Sequence, residues 1–260
     1  MTLISDETAQ SWRAQAQADF RLQSIITDVE AKYELSIRIV DDTEWWSSVD
    51  GQKAVIAMTA TARPMAAFAH ELLHLRLSAR GYRHILGSAN HEPAKNQVIS
   101  GLLSALDNEL QHHRMFPAFL SAGFSAREFY ADSDDISYEA IQRQIGTFSS
   151  NTSAACALYA YLPLIAPGGG WPTDMRDSVV DDLTRSVSAQ VWQRLQAVKV
   201  AIDAWAGSDE LDPTNAIVTI LEALGEFDGT YITEDISLYP AGAFVPRSMT
   251  QAQFEELAAK

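Results

Sequence analysis

Residues 70–74 read His70-Glu71-Leu72-Leu73-His74, the pattern H-E-x-x-H. On a helix, side chains four apart stand on one face, one turn separated. Two imidazoles so placed suit a single tetrahedral Zn2+, each giving one ring nitrogen. Glu71 stands beside His70 and reaches a metal-bound water without ligating the metal. Zinc lowers the pKa of such a water, the glutamate accepts its proton, and the hydroxide attacks a polarised carbonyl. The spacing therefore predicts a zinc-dependent hydrolase with His70 and His74 as ligands and Glu71 as general base.

The surrounding pattern supplies elements to position these groups. Trp12, Ala16, Phe20, Leu22, Ile25, Ile26 and Val29 recur at helical spacing, which predicts one helix over residues 5–33, with Ser5 or Asp6 as its N-cap. Residues 35–40 alternate and are β-branched, and residues 45–49 and 53–59 read as two further strands. Asp50-Gly51 between the latter two is a hairpin signal. A small antiparallel sheet follows from these segments. Pro64 opens the helix that carries the motif, and Gly81 stops it. Within that helix Phe68, Leu72 and Leu75 give a core stripe. A loop rich in Gly, Ser, Asn and His covers residues 81–93. A second long helix is expected over residues 94–115, ended or broken by Pro117. Later helices are expected at 136–145, 152–162, 174–206, 213–227 and 249–260, with an extended segment at 230–238.

These features resemble the zincin metallopeptidases, and more closely the compact, gluzincin-like IrrE/ImmA type. The resemblance covers residues 33–130: the strands, the motif helix and the long helix after it. It implies a metallopeptidase acting on a peptide or protein substrate, with a dedicated regulatory substrate rather than general digestion. In zincins an extended substrate pairs with an edge strand beside the active-site helix. By analogy residues 53–59 would be that strand.

Zinc needs a third protein ligand. The metzincin spacing fails, because Leu77 and Arg80 stand where Gly and His are required. The gluzincin arrangement places a Glu on a later helix, and residues 107–113 supply candidates. At about 100° per residue, Ile99, Leu102, Leu103, Leu106 and Leu110 define one apolar face. His113 falls near its middle, Glu109 lies to one side, and His112 is further out. Glu109 is the favoured ligand, with His113 beside it as a supporting group. A site completed by His113 or His112 is the close alternative. The usual gluzincin partner four residues after the Glu is an Asp, so His113 departs from that pattern.

Other chemistry-bearing residues read as ordinary structure. His84 and His91 are loop histidines, and His91-Glu92-Pro93 lacks a second motif histidine because Lys95 stands in its place. Tyr130 and Tyr138 could steady an oxyanion but read first as core. Trp45 and Trp46, adjacent on a strand, face opposite sides, and the six tryptophans read as core. Cys156, the single cysteine, reads as a small buried hydrophobe, and it excludes an intramolecular disulfide. Asp132, Asp134 and Asp135 read as a loop and helix cap. Gly168-Gly169-Gly170 is a loop.

The chain of 260 residues carries 34 acidic against 19 basic side chains, a net charge of −15. Such a surface repels phosphate backbones and anionic membranes, so no nucleic-acid or membrane partner is expected. The N-terminal residues lack a basic region followed by an apolar core, and a cytoplasmic protein is expected. The fold class expected is α+β, mostly α: a small antiparallel sheet on a zincin-type helix, with a helical C-terminal half. Residues 1–130 would form the catalytic core and 131–260 a helical region packed on it. The alternative reading is a non-catalytic regulatory or binding protein on the same scaffold, its metal structural.

Overall fold

A computed structural model describes residues 4–130, 138–170 and 172–260. Asp132, Asp134, Asp135 and Trp171 lie outside the described residues, as does the side chain of Tyr138. The chain divides into two compact units. The first comprises the described residues of Met1–Tyr82, Arg114–Ser137 and Pro167–Pro172, the second those of Arg83–His113, Tyr138–Ala166 and Thr173–Lys260. The class is α+β, mostly α.

The first unit opens with α1 (Asp6–Ala18) and α2 (Phe20–Glu30). Ser5 caps α1 by accepting the Thr8 N–H. The single helix expected over residues 5–33 is broken at Asp19, which leaves helical geometry and caps α2 through the Arg21 N–H. The same carboxylate grips the Arg21 guanidinium at 2.7 Å. This break turns Phe20 out of the apolar stripe, and it is 82% exposed. Leu22, Ile25 and Val29 keep the buried face.

Three strands follow: β1 (Glu34–Ile39), β2 (Trp46–Asp50) and β3 (Lys53–Met58). The hairpin between β2 and β3 forms as expected, with Asp50 opposite Lys53 and Gly51 at φ 57°. The sheet order is β1-β3-β2, and β1 runs parallel to β3. The sheet is therefore mixed rather than wholly antiparallel. Residues 53–58 form the central strand, which overturns the expectation that they are an open edge; the antiparallel edge is β2. Trp45 is buried, stacked on Trp12 and edge-on to Phe68, and its indole N–H donates to the Thr59 carbonyl at 2.8 Å. Trp46 is half-buried under the Arg38 guanidinium.

The motif helix is α3 (Pro64–Ala79), with Pro64 in its first turn. Its residues from Ala66 to Leu73 are all buried, including His70 and Glu71. Ala66, Ala67 and Ala69 leave room for close packing on a helix covered from more than one side. It packs on α1, α2 and the sheet, and the Ser47 hydroxyl of β2 donates to the Glu71 carbonyl at 3.3 Å. Arg76 pairs with Asp28 of α2 at 2.7 Å.

The second unit is built on β4 (Gly87–Asn90) and the first part of α4 (Pro93–Ser121). Pro117 does not end this helix, which runs on through it. Next come α5 (Tyr138–Ile145), α6 (Ala154–Ile165), α7 (Thr173–Ser186), α8 (Ala189–Ala206) and α9 (Thr214–Leu224). The helix expected over 174–206 is two helices, divided where Ser188 caps α8 by accepting the Val191 N–H. The chain ends with β5 (Thr230–Thr233), β6 (Ala243–Val245) and α10 (Gln251–Ala258). A second antiparallel sheet, ordered β4-β5-β6, gathers part of the expected loop 81–93 onto the extended segment after α9. Cys156 is exposed on α6, contrary to its reading as a buried hydrophobe. Trp205 is buried as expected, but Trp12, Trp46 and Trp192 are half-buried. Among the described residues no helix is long and apolar enough to cross a membrane.

Candidate metal centre

The four-residue spacing in α3 brings the Nε2 atoms of His70 and His74 to 3.1 Å from each other. Two nitrogens bound to one tetrahedral zinc at the usual bond length stand about 3.3 Å apart. The pair is thus set at ligand spacing. On its other side, the His70 ring places Nδ1 2.6 Å from the Phe129 carbonyl oxygen. A carbonyl has no proton to give, so Nδ1–H is the donor and Nε2 keeps its lone pair. Metal-ligating histidines are commonly fixed by such a bond.

The Phe129 carbonyl is itself held in place. It follows a 3₁₀ turn, Ala126–Glu128, closed by a capping box between Ser125 and Glu128. The Phe129 ring is fully buried and meets the rings of Phe116, Phe119, Tyr130 and His70 at 4.9–5.1 Å between centroids. Gly168 closes over this turn at φ 73°; a Cβ there would stand 2.7 Å from Phe116 Cε2 and 2.8 Å from the Ala126 carbonyl. The Gly169 N–H donates to that same carbonyl at 2.8 Å. Phe129 acts through its backbone, so its residue type carried no signal in the sequence.

His70 and His74 each offer one ring nitrogen, and these atoms lie within 4.8 Å of each other. Two imidazoles of this kind can contribute to a metal site. Glu109, the favoured third ligand in the sequence, contacts two histidines of its own helix. Its Oε1 lies 3.0 Å from His113 Nε2 and its Oε2 3.8 Å from His112 Nδ1. Neither is a hydrogen bond: Glu109 Oε1 and His113 Nε2 are buried without a hydrogen-bond partner despite their approach, and the second contact is longer than a hydrogen bond. Burial pushes the Glu109 carboxyl up, but His112 and His113 outweigh it and hold the group below the ordinary glutamate value. The indole of Trp205 donates to the Leu110 carbonyl at 3.0 Å and pins this turn of α4.

Glu71, next to His70 in the chain, is buried. Tyr130 is buried, its ring centroid 6.2 Å from that of His70. His84 does more than fill a loop: its Nδ1 lies 2.8 Å from Oδ2 of the buried Asp107, which also accepts from Gln111 at 2.9 Å. The hydrogen bond that His84 donates to the Asp107 carboxylate raises its pKa against the opposing effect of burial. His91 packs against Gly229, at the end of the second sheet.

No protein-family model matches the chain, and neither a curated protein nor a solved structure matches it. The chemistry of the site rests on its own residues.

Proposed function

We propose that the protein is a zinc-dependent hydrolase, a metallopeptidase, in which His70 and His74 hold the metal and Glu71 is the general base. The observation that carries this reading is the 3.1 Å approach of His70 Nε2 to His74 Nε2, with the far nitrogen of His70 tied to the Phe129 carbonyl. The donor set fits zinc: neutral imidazoles at tetrahedral spacing, one of them already held in the ligating tautomer. When bound, zinc supplies Lewis acidity, which acidifies a water and polarises a scissile carbonyl. Glu71 accepts a proton on its carboxylate and returns it to the leaving amine nitrogen. Its burial favours this work by excluding bulk water from the transfer.

The edge strand β2 is the proposed docking strand for an extended substrate. It packs on α3, and Ser47 touches the backbone of Glu71 itself. Unpaired backbone groups on a sheet edge bind an extended peptide by strand addition. The excess of acidic side chains favours basic peptides. A cytoplasmic setting and the absence of nucleic-acid partners belong to the same proposal.

The test is cleavage of a proteome-derived peptide library by the zinc-loaded protein, with new termini read by mass spectrometry. Glu71→Gln is expected to keep its zinc and lose cleavage by roughly 10²–10⁴-fold or more. Equal cleavage by wild type and Glu71→Gln would refute the assigned base. Zinc binding without any cleavage would favour the regulatory alternative.

A further inference from the structure

Wholly within the first unit, a crevice opens behind the motif helix. Its floor is formed by Ile56 of β3 and by Phe68 and Leu72 of α3, all fully buried, with half-buried Ile37 of β1 on one wall. Phe68 and Leu72 are four apart and share a helix face, and His70 and His74 stand about 200° round the axis from them. The crevice is therefore separate from the face that carries the histidines. Its cavity volume is about 30 Å³, and about 370 Å³ with the open mouth included. A water- or methyl-sized group needs about 10–15 Å³, so the inner part takes two such groups. A water held there needs polar partners, which these four side chains do not offer.

The mouth has different chemistry. Arg13 of α1 and Glu30 of α2 both line the crevice and are exposed, and neither has an ion-pair partner among the described residues. In the same unit Arg21, Arg76 and Arg80 are all paired with aspartates. We propose that the crevice binds a free α-amino acid with a branched aliphatic side chain of valine or leucine size. The side chain enters the apolar floor, the carboxylate meets Arg13 and the ammonium meets Glu30. One cation and one anion at the mouth suit a zwitterion. A carboxylate lacking the amine would leave Glu30 uncompensated and repelling it, and an amine lacking the carboxylate would meet the same difficulty at Arg13. Both contacts of the zwitterion are charge-assisted. An aromatic side chain exceeds the inner volume, and glycine leaves it unfilled. No zinc ligand takes part, so this binding is separable from the proposed reaction.

The test is titration of L-leucine into the isotope-labelled full chain, followed by backbone amide shifts. Saturable shifts in α1, α2 and β1 are expected, with a Kd in the millimolar range or tighter. Isocaproate, which keeps the side chain and carboxylate, and isoamylamine, which keeps the side chain and amine, are each expected to bind at least about 10-fold more weakly. Glycine and L-phenylalanine should be weaker by a similar factor or more. Arg13→Gln and Glu30→Gln alter exposed positions, so both should keep the wild-type thermal midpoint and weaken leucine about 10-fold. Absence of saturable shifts with any branched aliphatic amino acid would overturn the proposal. So would shifts confined to the second unit, isocaproate binding as tightly as leucine, or leucine affinity unchanged in both glutamine variants. The comparison of ligands on the wild-type chain decides the matter even if a variant fails to fold.

Discussion

The Nδ1 atom of His70 lies 2.6 Å from the carbonyl oxygen of Phe129, and this one bond settles which nitrogen of His70 is available. Its Nε2 faces His74 Nε2 as an acceptor at 3.1 Å. Two nitrogens brought this close share one proton or one cation. The motif supplies the pair, and a backbone carbonyl about sixty residues downstream orients it.

That carbonyl depends on a glycine. At Gly168 the backbone has φ 73°, and an added Cβ would press on Phe116, Ala126 and Phe129 at 2.7–3.0 Å. Gly168→Ala combines left-handed strain with overpacking, a cost of roughly 2–4 kcal/mol. A drop of this size in denaturant midpoint, together with weaker zinc binding, is expected. Unchanged stability would show that the turn does not need glycine.

The edge strand makes a separate prediction. An extended, non-cleavable peptide that binds the zinc-loaded protein should protect amides of Trp46–Asp50 from hydrogen exchange. The opposite edge, Glu34–Ile39, should exchange as before. Protection confined to the second unit would place the substrate elsewhere.

The pair of His84 and Asp107 links stability to pH. Asp107 raises the His84 pKa above the ordinary value of 6.5. The folded state then holds the proton more tightly than the unfolded chain. The stabilisation is fully present below about pH 6.5 and is lost as pH rises through the raised folded value. His84 is 40% exposed in its side chain, so solvent screens part of the effect. The stability difference between wild type and His84→Asn should be larger at pH 5.5 than at pH 8.5. A constant difference would mean that the pair contributes no proton linkage.

Much of the site could be read in the sequence because it is local. H-E-x-x-H on a helix fixes a face, and α3 places His70, Glu71 and His74 as the spacing implies. The hairpin at Gly51 and the cap at Ser5 are likewise local. The errors have both long-range and local causes. The register of β1 beside β3 is a crossover pairing, so residues 53–58 looked like an edge but form the centre. Asp19 and Ser188 break apparently continuous helical stripes through side-chain caps. Pro117 removes one N–H, yet α4 continues through it. Helix phase ranked the candidates on α4 by assuming one buried face. Around that turn Asp107, Glu109, Gln111 and His112 are all buried, so α4 is covered on several sides and phase no longer ranks its residues.

The most direct measurement is the metal content of the purified protein, by elemental mass spectrometry, beside His74→Ala and Glu71→Gln. About one zinc per chain is predicted in wild type and Glu71→Gln, with loss in His74→Ala. Absence of stoichiometric metal in the wild-type protein after reconstitution with zinc would contradict the account and reduce His70-Glu71-Leu72-Leu73-His74 to a buried turn of helix.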